Sequence, residues 1–271
     1  MINIKSLIKI RPLFKNYVYT IQRGLAKGLK RKGGMSFIPQ LAKPSKEDLF
    51  LSGLDLKDNI IFDIGAFEGV FTLFFARAVG DRGQVYTFEP NPINYNLVLE
   101  NVALNGFEQV KVINTALGDT NGKLNLVFRS FEAGSGSLNT TIQSKFFHTD
   151  KLQTVEVSLD TLDHQIAAHN LPTPDFVKLD VEGFEPQIIQ GMQELLKRAK
   201  PTLFIELHGF MLDTEKDTYW SGIVEPLLDL GYSIKHIETD RKITKNLSNP
   251  PLDGHIYCWI SQENHNCKNI L

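Results

Sequence analysis

The sequence predicts an α/β fold built around a mostly parallel β-sheet. From Asn59 onward, short apolar runs alternate with segments of helical periodicity, which is typical of repeated βαβ units. The chain has 271 residues, of which 42% are hydrophobic and 22% charged, and this composition excludes collagen, coiled coil and extensive disorder. The length suits either one large domain or one domain plus an appendage.

The predicted elements follow one another without an internal repeat. The predicted strands are Asn59–Asp63, Gln84–Glu89, Val110–Asn114, Gly122–Phe128, Val155–Ser158, Phe176–Asp180, Thr202–Glu206, Ser233–Ile237 and His255–Ile260. The predicted helices are Gly69–Ala78, Pro92–Leu104, Thr161–His169, Pro186–Arg198 and Tyr219–Leu230.

Local signals justify these elements in chain order. The first strand is a buried apolar run that ends at a glycine-containing turn, and the second helix ends at Asn105-Gly106. Residues 122–128 alternate apolar and polar side chains, as a strand with one buried face does. The last two strands flank a polar loop and are expected to close the sheet as a hairpin.

The N-terminal segment differs in charge from the rest of the chain. Residues 1–46 contain 8 Lys and 3 Arg and no acid, whereas the remainder contains 31 acids and 18 basic residues. Apolar residues from Phe14 to Leu29 recur at helical spacing, which predicts a basic amphipathic helix that Gly24 and Gly28 weaken.

We therefore predict a basic helical arm and linker over residues 1–45 and a main domain over residues 46–271. A lysine-rich helix can lie on an anionic lipid surface, so peripheral membrane contact through residues 1–32 is one interpretation. The other, which we favour, is a solvated helix packed on the acidic body. Nucleic acid is not an expected partner, because the body is acidic and no aromatic and basic RNA-binding motif occurs.

The remaining composition predicts a cytoplasmic protein. The two cysteines, Cys258 and Cys267, are too few for a disulfide scaffold, which indicates a reducing compartment. No apolar stretch approaches the roughly 18–20 residues of a membrane span, and the N-terminus lacks the apolar region of a signal peptide.

The turn from Asp63 to Gly69, after the first predicted strand, is the strongest local signal. In an open α/β sheet, ligands bind beyond the carboxyl ends of the strands, and glycine allows a backbone to approach a ligand closely. A dinucleotide fingerprint would have glycine where Asp63 stands. A carboxylate suits a phosphate-free nucleoside with a cationic amino group, such as S-adenosyl-L-methionine, although a structural turn with a capping acid is the alternative.

Glu89 ends the second predicted strand, 20 residues after Gly69. An acid at this offset can accept both hydroxyls of a ribose. Because nicotinamide dinucleotides also contain ribose, Glu89 does not distinguish the two cofactor classes, and an isolated acid at a strand end remains the alternative.

Acidic residues also end two later strands. If these strands are neighbours, Asp180, Glu182, Glu206 and His208 converge at one edge of the sheet, where they could perform base chemistry or bind a divalent cation. The alternative is a set of helix caps and of salt bridges with Lys178. His208 is the first candidate for a base, because an ordinary imidazole has a pKa near ~6.5; Asp180 or Glu182 replaces it if burial raises the carboxyl pKa.

The Gly/Ser-rich segment 129–150 is predicted to be a loop, too long for an idle connection. Its part from Ala133 to Asn139 is a candidate lid with glycine hinges, and a mobile surface loop is the alternative. The flanking aromatics Phe131, Phe146 and Phe147 are candidates for an acceptor wall or for core anchors.

Five motifs carry a resemblance to a known family. They are Asp63-Ile64-Gly65-Ala66 with Gly69, Phe88-Glu89-Pro90-Asn91, Ala116-Leu117-Gly118-Asp119 with Gly122, Ser158-Leu159-Asp160-Thr161-Leu162, and Val177-Lys178-Leu179-Asp180-Val181-Glu182-Gly183-Phe184-Glu185. In this order and spacing the chain resembles the FkbM-type S-adenosylmethionine-dependent methyltransferases over residues 55–260, and the arm lies outside the match.

The resemblance implies a class I, Rossmann-like methyltransferase fold with a seven-stranded, mostly parallel sheet and a reversed last strand. It implies O-methyl transfer to a carbohydrate, glycolipid or secondary-metabolite acceptor. The residues that it assigns to the cofactor are Asp63, Gly65, Ala66 and Gly69 at the methionine, Glu89 at the ribose, Thr115, Ala116 and Leu117 at the adenine, and Asp180, with Glu182, beside the reacting centre. A nicotinamide-dependent oxidoreductase and a non-catalytic cofactor-binding subunit are the alternative functions.

Overall fold

The structure is a computed structural model that describes residues 16–33, 44–129, 132–140, 142–143, 152–212, 215–245 and 247–261. Its strands are β1 Val18–Thr20, β2 Lys30–Lys32, β3 Ile60–Ile64, β4 Gln84–Phe88, β5 Val110–Ile113, β6 Ala116–Leu117, β7 Gly122–Arg129, β8 Glu132–Ser137, β9 Leu152–Asp160, β10 Phe176–Leu179, β11 Thr202–Glu206, β12 Ser233–His236, β13 Arg241–Ile243 and β14 His255–Trp259. Its helices are α1 Lys46–Ser52, α2 Val70–Val79, α3 Pro92–Leu104, α4 Leu162–His169, α5 Glu185–Gly191, α6 Gln193–Arg198 and α7 Lys216–Asp229.

The central sheet has eight strands in the order β13-β12-β14-β11-β10-β3-β4-β5. The five strands from β11 to β5 are parallel, whereas β14 runs antiparallel to both β11 and β12. This confirms the predicted α/β class, the mostly parallel sheet and the reversed last strand. The prediction of seven strands omitted β13, a short edge strand that pairs with β12.

Alternate residues of the central strands pack on opposite faces of the sheet. Phe62 joins a core with Leu179 and helix α5, while its neighbour Ile61 joins a second core with Phe75 of α2. Because both faces are covered by helices, these strands have no solvent-exposed face and consist of nearly continuous apolar residues.

Local caps explain where several helices begin. The Asn91 side chain accepts from the Ile93 N–H, which starts α3 at Pro92, and the Thr161 side chain accepts from the His164 N–H at the start of α4. One prediction was too simple, because the single helix expected over residues 186–198 is two helices that meet at Met192, whose backbone leaves the helical region.

The segment predicted to be a loop and lid is partly a strand. Residues 132–137 form β8, which pairs with β7 in a second, four-stranded sheet of order β6-β9-β7-β8. The loop predicted there is therefore corrected over residues 132–137, whereas the lid expected over residues 133–139 stays a prediction. Phe131, Phe146 and Phe147 lie outside the described residues.

The helix predicted in the basic arm is wrong over the described residues 16–33. Strands β1 and β2 pair there as an antiparallel hairpin, with Gly24 and Gly28 both at positive φ in the connection. Two left-handed glycines break the helical pattern that the apolar spacing alone favours. No helix in the described part of the chain has the length and hydrophobicity needed to cross a lipid bilayer. The domain boundary at residue 45, the membrane contact and the cytoplasmic location stay predictions.

Candidate active site

A cleft opens at the carboxyl edge of the parallel strands, where β3, β4 and β10 end. Residues that line it are Ile64, Gly65, Phe67, Phe88, Glu89, Pro90, Asn91, Asn94, Thr115, Ala116, Leu117, Leu126, Leu138, Asp180, Val181 and Glu182. Of the sequence-predicted site residues, Gly65, Glu89, Thr115, Ala116, Leu117, Asp180 and Glu182 line this cleft. Leu126 of β7 and Leu138 after β8 were not predicted, because neither residue lies within one of the five motifs.

Gly65 is required by a close approach between two strand ends. Its φ is +84°, and a Cβ at this position would lie 1.8 Å from the carbonyl oxygen of Asp180. The glycine therefore lets the turn after β3 lie directly against the segment after β10. The other two predicted small residues face inward: Ala66 packs with Val98, and Gly69 begins helix α2.

Asp63 does not face the cleft. Its side chain is fully buried, accepts a 2.6 Å hydrogen bond from the Thr72 hydroxyl and lies 3.8 Å from Lys178 Nζ. Burial raises the pKa of this carboxyl, although Lys178 and Thr72 oppose the shift. The expectation that the Asp63 carboxylate meets a ligand at the mouth of the turn is corrected, because strand alternation points it into the protein.

Glu89 lies at the floor of the cleft and is 5% exposed. One carboxylate oxygen accepts from the Phe67 N–H at 2.7 Å and the other from the Asn91 N–H at 2.9 Å. Burial raises the pKa of this carboxyl to about 7, and the two backbone N–H groups limit the rise. Among the described residues, the buried Asn91 side-chain nitrogen has no hydrogen-bond partner, so a polar ligand group beside Glu89 would satisfy it.

The second half of the site is a charged cluster where β10 and β11 end side by side. Asp180, Glu182, Glu206 and His208 converge there, as the neighbouring strands predicted. The His208 Nε2 atom lies 3.6 Å from Glu182, 3.8 Å from Glu206 and 3.9 Å from Asp180, measured to a carboxylate oxygen.

Lys178 supplies a buried positive charge beneath the cluster. Its ammonium is 3.2 Å from an Asp180 oxygen and lies over the Phe71 ring. Burial would lower the pKa of Lys178, but Asp180, Asp63 and Glu206 raise it above its usual value. In turn, Lys178 and His208 overcome the effect of burial on Asp180 and hold its pKa below the usual range.

His208 is held by two residues that the sequence reasoning did not assign. Its Nδ1 is 2.8 Å from a fully buried Glu185 oxygen, and its backbone N–H donates to the Tyr219 hydroxyl, which donates to the other Glu185 oxygen. Glu185 ends the motif that runs from Val177 to Glu185, so the sequence held a signal for it. Tyr219 follows from no local pattern, because it reaches the site from helix α7.

These contacts change the expected roles of the titratable groups. Burial alone would lower the pKa of His208, but Glu185, Asp180 and Glu182 raise it to about 10, so the imidazole is protonated at neutral pH. The expectation of a neutral histidine base is corrected. Burial raises the pKa of Glu182 to about 7, as it does for Glu206. Two carboxyls were expected to replace His208 as the general base. Glu182 has the pKa near neutrality that this role needs, and Asp180 does not.

Three of the four predicted metal-ligating residues, Asp180, Glu206 and His208, place ligand atoms within 4.8 Å of one another. A divalent cation there would have to displace the proton of His208 and compete with the adjacent Lys178 ammonium. Because the Lys178 ammonium and the His208 imidazolium already lie against these carboxylates, the donor set does not favour a metal ion.

An exposed aromatic side chain stands next to the cluster. Phe210 lies in a short 3-10 helix, Gly209–Met211, directly after His208; it is 53% exposed, and its ring centroid is 6.5 Å from that of His208. An exposed phenylalanine beside carboxylates offers an apolar face and hydrogen-bond acceptors together.

Comparison with known proteins agrees with the motifs. The family model of the methyltransferase FkbM domain matches residues 63–234. The chain is 24% identical over 153 residues to the hexuronic acid methyltransferase AglP of Haloferax volcanii, covering 56% of this chain and 57% of that protein. It is 25% identical over 158 residues to the 2-O-methyltransferase NoeI of Sinorhizobium fredii, covering 55% and 64%.

A solved structure of an FkbM methyltransferase from Methylobacillus flagellatus is similar over 77% of this chain and 45% of that one, with 18% identity and a TM-score of 0.48. The aligned regions span 57% and 64% of the lengths of the two curated relatives.

Proposed function

The chain belongs to the FkbM methyltransferase domain family, and on that premise we propose that it transfers a methyl group from S-adenosyl-L-methionine to a hydroxyl of a carbohydrate or similar polyhydroxylated acceptor. One observation carries the proposal: a single cleft joins the buried acid Glu89 to Glu182, a carboxyl with a raised pKa. The first suits a nucleoside and the second suits proton removal.

The residues of the cleft fit the cofactor. Glu89 would accept the ribose hydroxyls, with the Asn91 amide beside it, and Thr115 to Leu117 would flank the adenine. Asp180 lines the same cleft with a lowered pKa, so its carboxylate is the group that would attract the cationic amino acid part, in place of the buried Asp63. When bound, the cofactor supplies a methyl group already activated by its sulfonium.

The chain must align the acceptor hydroxyl and remove its proton. Glu182 is the proposed base, because its side chain is 31% exposed in the cleft and its pKa lies near neutrality. Asp180, paired with Lys178, and the His208 imidazolium, held by Glu185, would keep neighbouring charges fixed. Pre-positioned charges of this kind need no reorganisation during the reaction.

We expect Glu89→Ala to weaken binding of S-adenosylhomocysteine by about 1–3 kcal/mol, because two ribose hydroxyls would lose their acceptor. Isothermal titration calorimetry measures this directly. Glu156→Ala is the control, since Glu156 is exposed on β9 and forms a surface ion pair with Lys123. The affinity of this variant should match that of the wild type. Equal affinity of the Glu89 variant and the wild type would refute the ribose assignment.

Two other functions would give different results when NAD is titrated beside S-adenosylhomocysteine and when glycans are screened as acceptors. A nicotinamide-dependent oxidoreductase would bind NAD more tightly than S-adenosylhomocysteine. A non-catalytic subunit would bind the cofactor yet methylate no acceptor in a glycan screen. Replacing Asp180 in such a subunit would leave the activity of the protein it assists unchanged.

The acceptor class is proposed from two sources. The names of the two relatives given above describe methylation of a hexuronic acid and at a 2-O position. In this chain, Phe210 offers an exposed ring beside the proposed base. We expect Phe210→Ala to raise the acceptor KM about two- to tenfold with little change in kcat, since an aromatic contact contributes about 0.5–1.5 kcal/mol.

The experiment uses whichever glycan incorporates labelled methyl groups in the screen. Leu99→Ala, which removes an apolar side chain that is 39% exposed on α3, is the control and should leave KM unchanged. A Phe210→Ala enzyme with wild-type KM would show that the ring does not contact the acceptor.

A further inference from the structure

The N-terminal hairpin, formed by β1 and β2, places a buried cation against the turn between β3 and α2. Arg31 of β2 is only 4% exposed, whereas the lysines on either side of it are on the surface side of the strand. The Arg31 guanidinium pairs with the carboxylate of Glu68. Glu68 is itself 7% exposed and lies in the turn between β3 and α2. A buried pair of this kind holds its partners firmly, because separating them leaves an uncompensated charge.

The backbone of β2 is tied to the same region through Asn101 of α3 and Asn105, the residue that follows this helix. Asn105 exchanges hydrogen bonds with the Lys30 N–H at 2.8 Å and the Lys30 carbonyl at 2.7 Å. The fully buried Asn101 accepts from the Lys32 N–H at 2.7 Å and donates to the Glu68 carbonyl at 3.1 Å. The hairpin therefore fixes Glu68 twice, directly at its side chain and through Asn101 at its backbone.

The turn that is held in this way is strained and functionally placed. Phe67, next to Glu68, has a φ of +53°, a left-handed conformation that a bulky residue adopts only under constraint. In that conformation its N–H donates to Glu89 at 2.7 Å. Loss of the constraint on Glu68 would let Phe67 relax and remove a donor that orients the Glu89 carboxylate.

We propose that the N-terminal hairpin is part of the cofactor site, with Arg31 as a positioning residue that holds the turn through Glu68. Arg31 lies outside residues 63–234, the span matched by the family model, so this chain supplies the support from its own N-terminal segment. The inference depends on the proposed function, because it treats the Glu89 cleft as the binding site of S-adenosylmethionine.

The test is calorimetric binding of S-adenosylhomocysteine to the full chain carrying Arg31→Met. We expect the dissociation constant to rise about tenfold or more, the effect of losing a charged hydrogen bond that orders the site. Arg31→Lys, which keeps the charge, should recover part of the affinity. Arg77→Met is the matched control, because the Arg77 guanidinium anchors the hairpin to α2 by donating to the carbonyls of Leu25 and Lys27, away from the pair of Arg31 and Glu68.

For Arg77→Met we expect a lower melting temperature and an affinity within twofold of the wild type. Arg31→Met binding within twofold of the wild type would overturn the inference, and so would equal losses in both variants, which would indicate general docking of the hairpin. If Arg31→Met does not fold, Glu68→Gln replaces it, with an expected loss of about threefold to tenfold and the same criterion. A wild-type chain that binds no S-adenosylhomocysteine would instead overturn the proposed function, and this inference with it.

Discussion

Replacing Glu182 with glutamine is expected to lower kcat by about 10²–10⁴-fold while leaving cofactor affinity nearly unchanged, because a general base contributes on this scale to a proton-transfer step. Glutamine has almost the shape of glutamate but accepts no proton. Methyl transfer to the acceptor identified by screening, measured at saturating cofactor, gives kcat, and calorimetry with S-adenosylhomocysteine gives the affinity.

The pH profile separates the loss of a base from a packing defect. The pKa of Glu182 is about 7 and that of His208 about 10. Since the base must be deprotonated, the wild-type kcat should rise as pH increases through about 7, and it should fall near pH 10 as the imidazolium is lost. Glu206 titrates in the same range, so the rise of kcat around pH 7 reflects interacting carboxyls. Most of this rise should nevertheless disappear in the Glu182→Gln enzyme.

Glu194→Gln provides the matched control for this experiment. Glu194 is more than half exposed on α6, where it pairs with Lys197 and Arg198 on the helix surface, and surface pairs of this kind contribute little. Its kcat and pH profile should equal those of the wild type. A Glu182→Gln enzyme with wild-type kcat would exclude Glu182 as the base and leave the methylation proposal to be tested by other residues of the cluster.

Gly65→Ala is expected to destabilise the fold by about 3 kcal/mol or more and to abolish cofactor binding, because the new methyl group meets backbone rather than a movable side chain. The added Cβ would lie 1.8 Å from the Asp180 carbonyl oxygen and 2.9 Å from its carbonyl carbon. The turn after β3 or the segment after β10 would have to move, and these two segments carry both halves of the site. Urea unfolding measures the stability, and calorimetry measures the binding.

Gly106→Ala separates the steric clash from the cost of the backbone conformation. Gly106 also has a positive φ, +66°, but a Cβ there would meet nothing within 4 Å. We expect it to cost only about 1–2 kcal/mol, the penalty of a left-handed alanine, with cofactor affinity retained. Equal effects of the two substitutions would show that the approach of Gly65 to Asp180 does not organise the site.

The sequence predicted the central sheet well because each strand and helix signals itself locally. Helix α3 occupies the predicted bounds, Pro92–Leu104, between an asparagine cap and Asn105-Gly106. The arm was predicted wrongly over residues 16–33 because apolar spacing alone favours a helix, whereas Gly24 and Gly28 adopt positive φ and connect two paired strands. Strand β8 was missed because a Gly/Ser-rich segment has no β-propensity of its own and is held by pairing with β7.

The candidate site was predicted in its location but not in its electrostatics. The carboxyl edge, Glu89 and the convergence of Asp180 with His208 follow from strand ends and spacing. The burial of Asp63 against Thr72 of α2 and the protonation of His208 beside Glu185 do not, because these partners are brought close only by the fold. A residue's pKa is a property of its neighbours in space.

The most direct test of the central claim is a crystal structure of the protein with S-adenosylhomocysteine. The account predicts that the ribose hydroxyls bind the Glu89 carboxylate, that the adenine lies beside Thr115 to Leu117, and that the sulfur faces Asp180 and Glu182. A ligand bound with its ribose away from Glu89, or with its sulfur remote from the acid cluster, would contradict it.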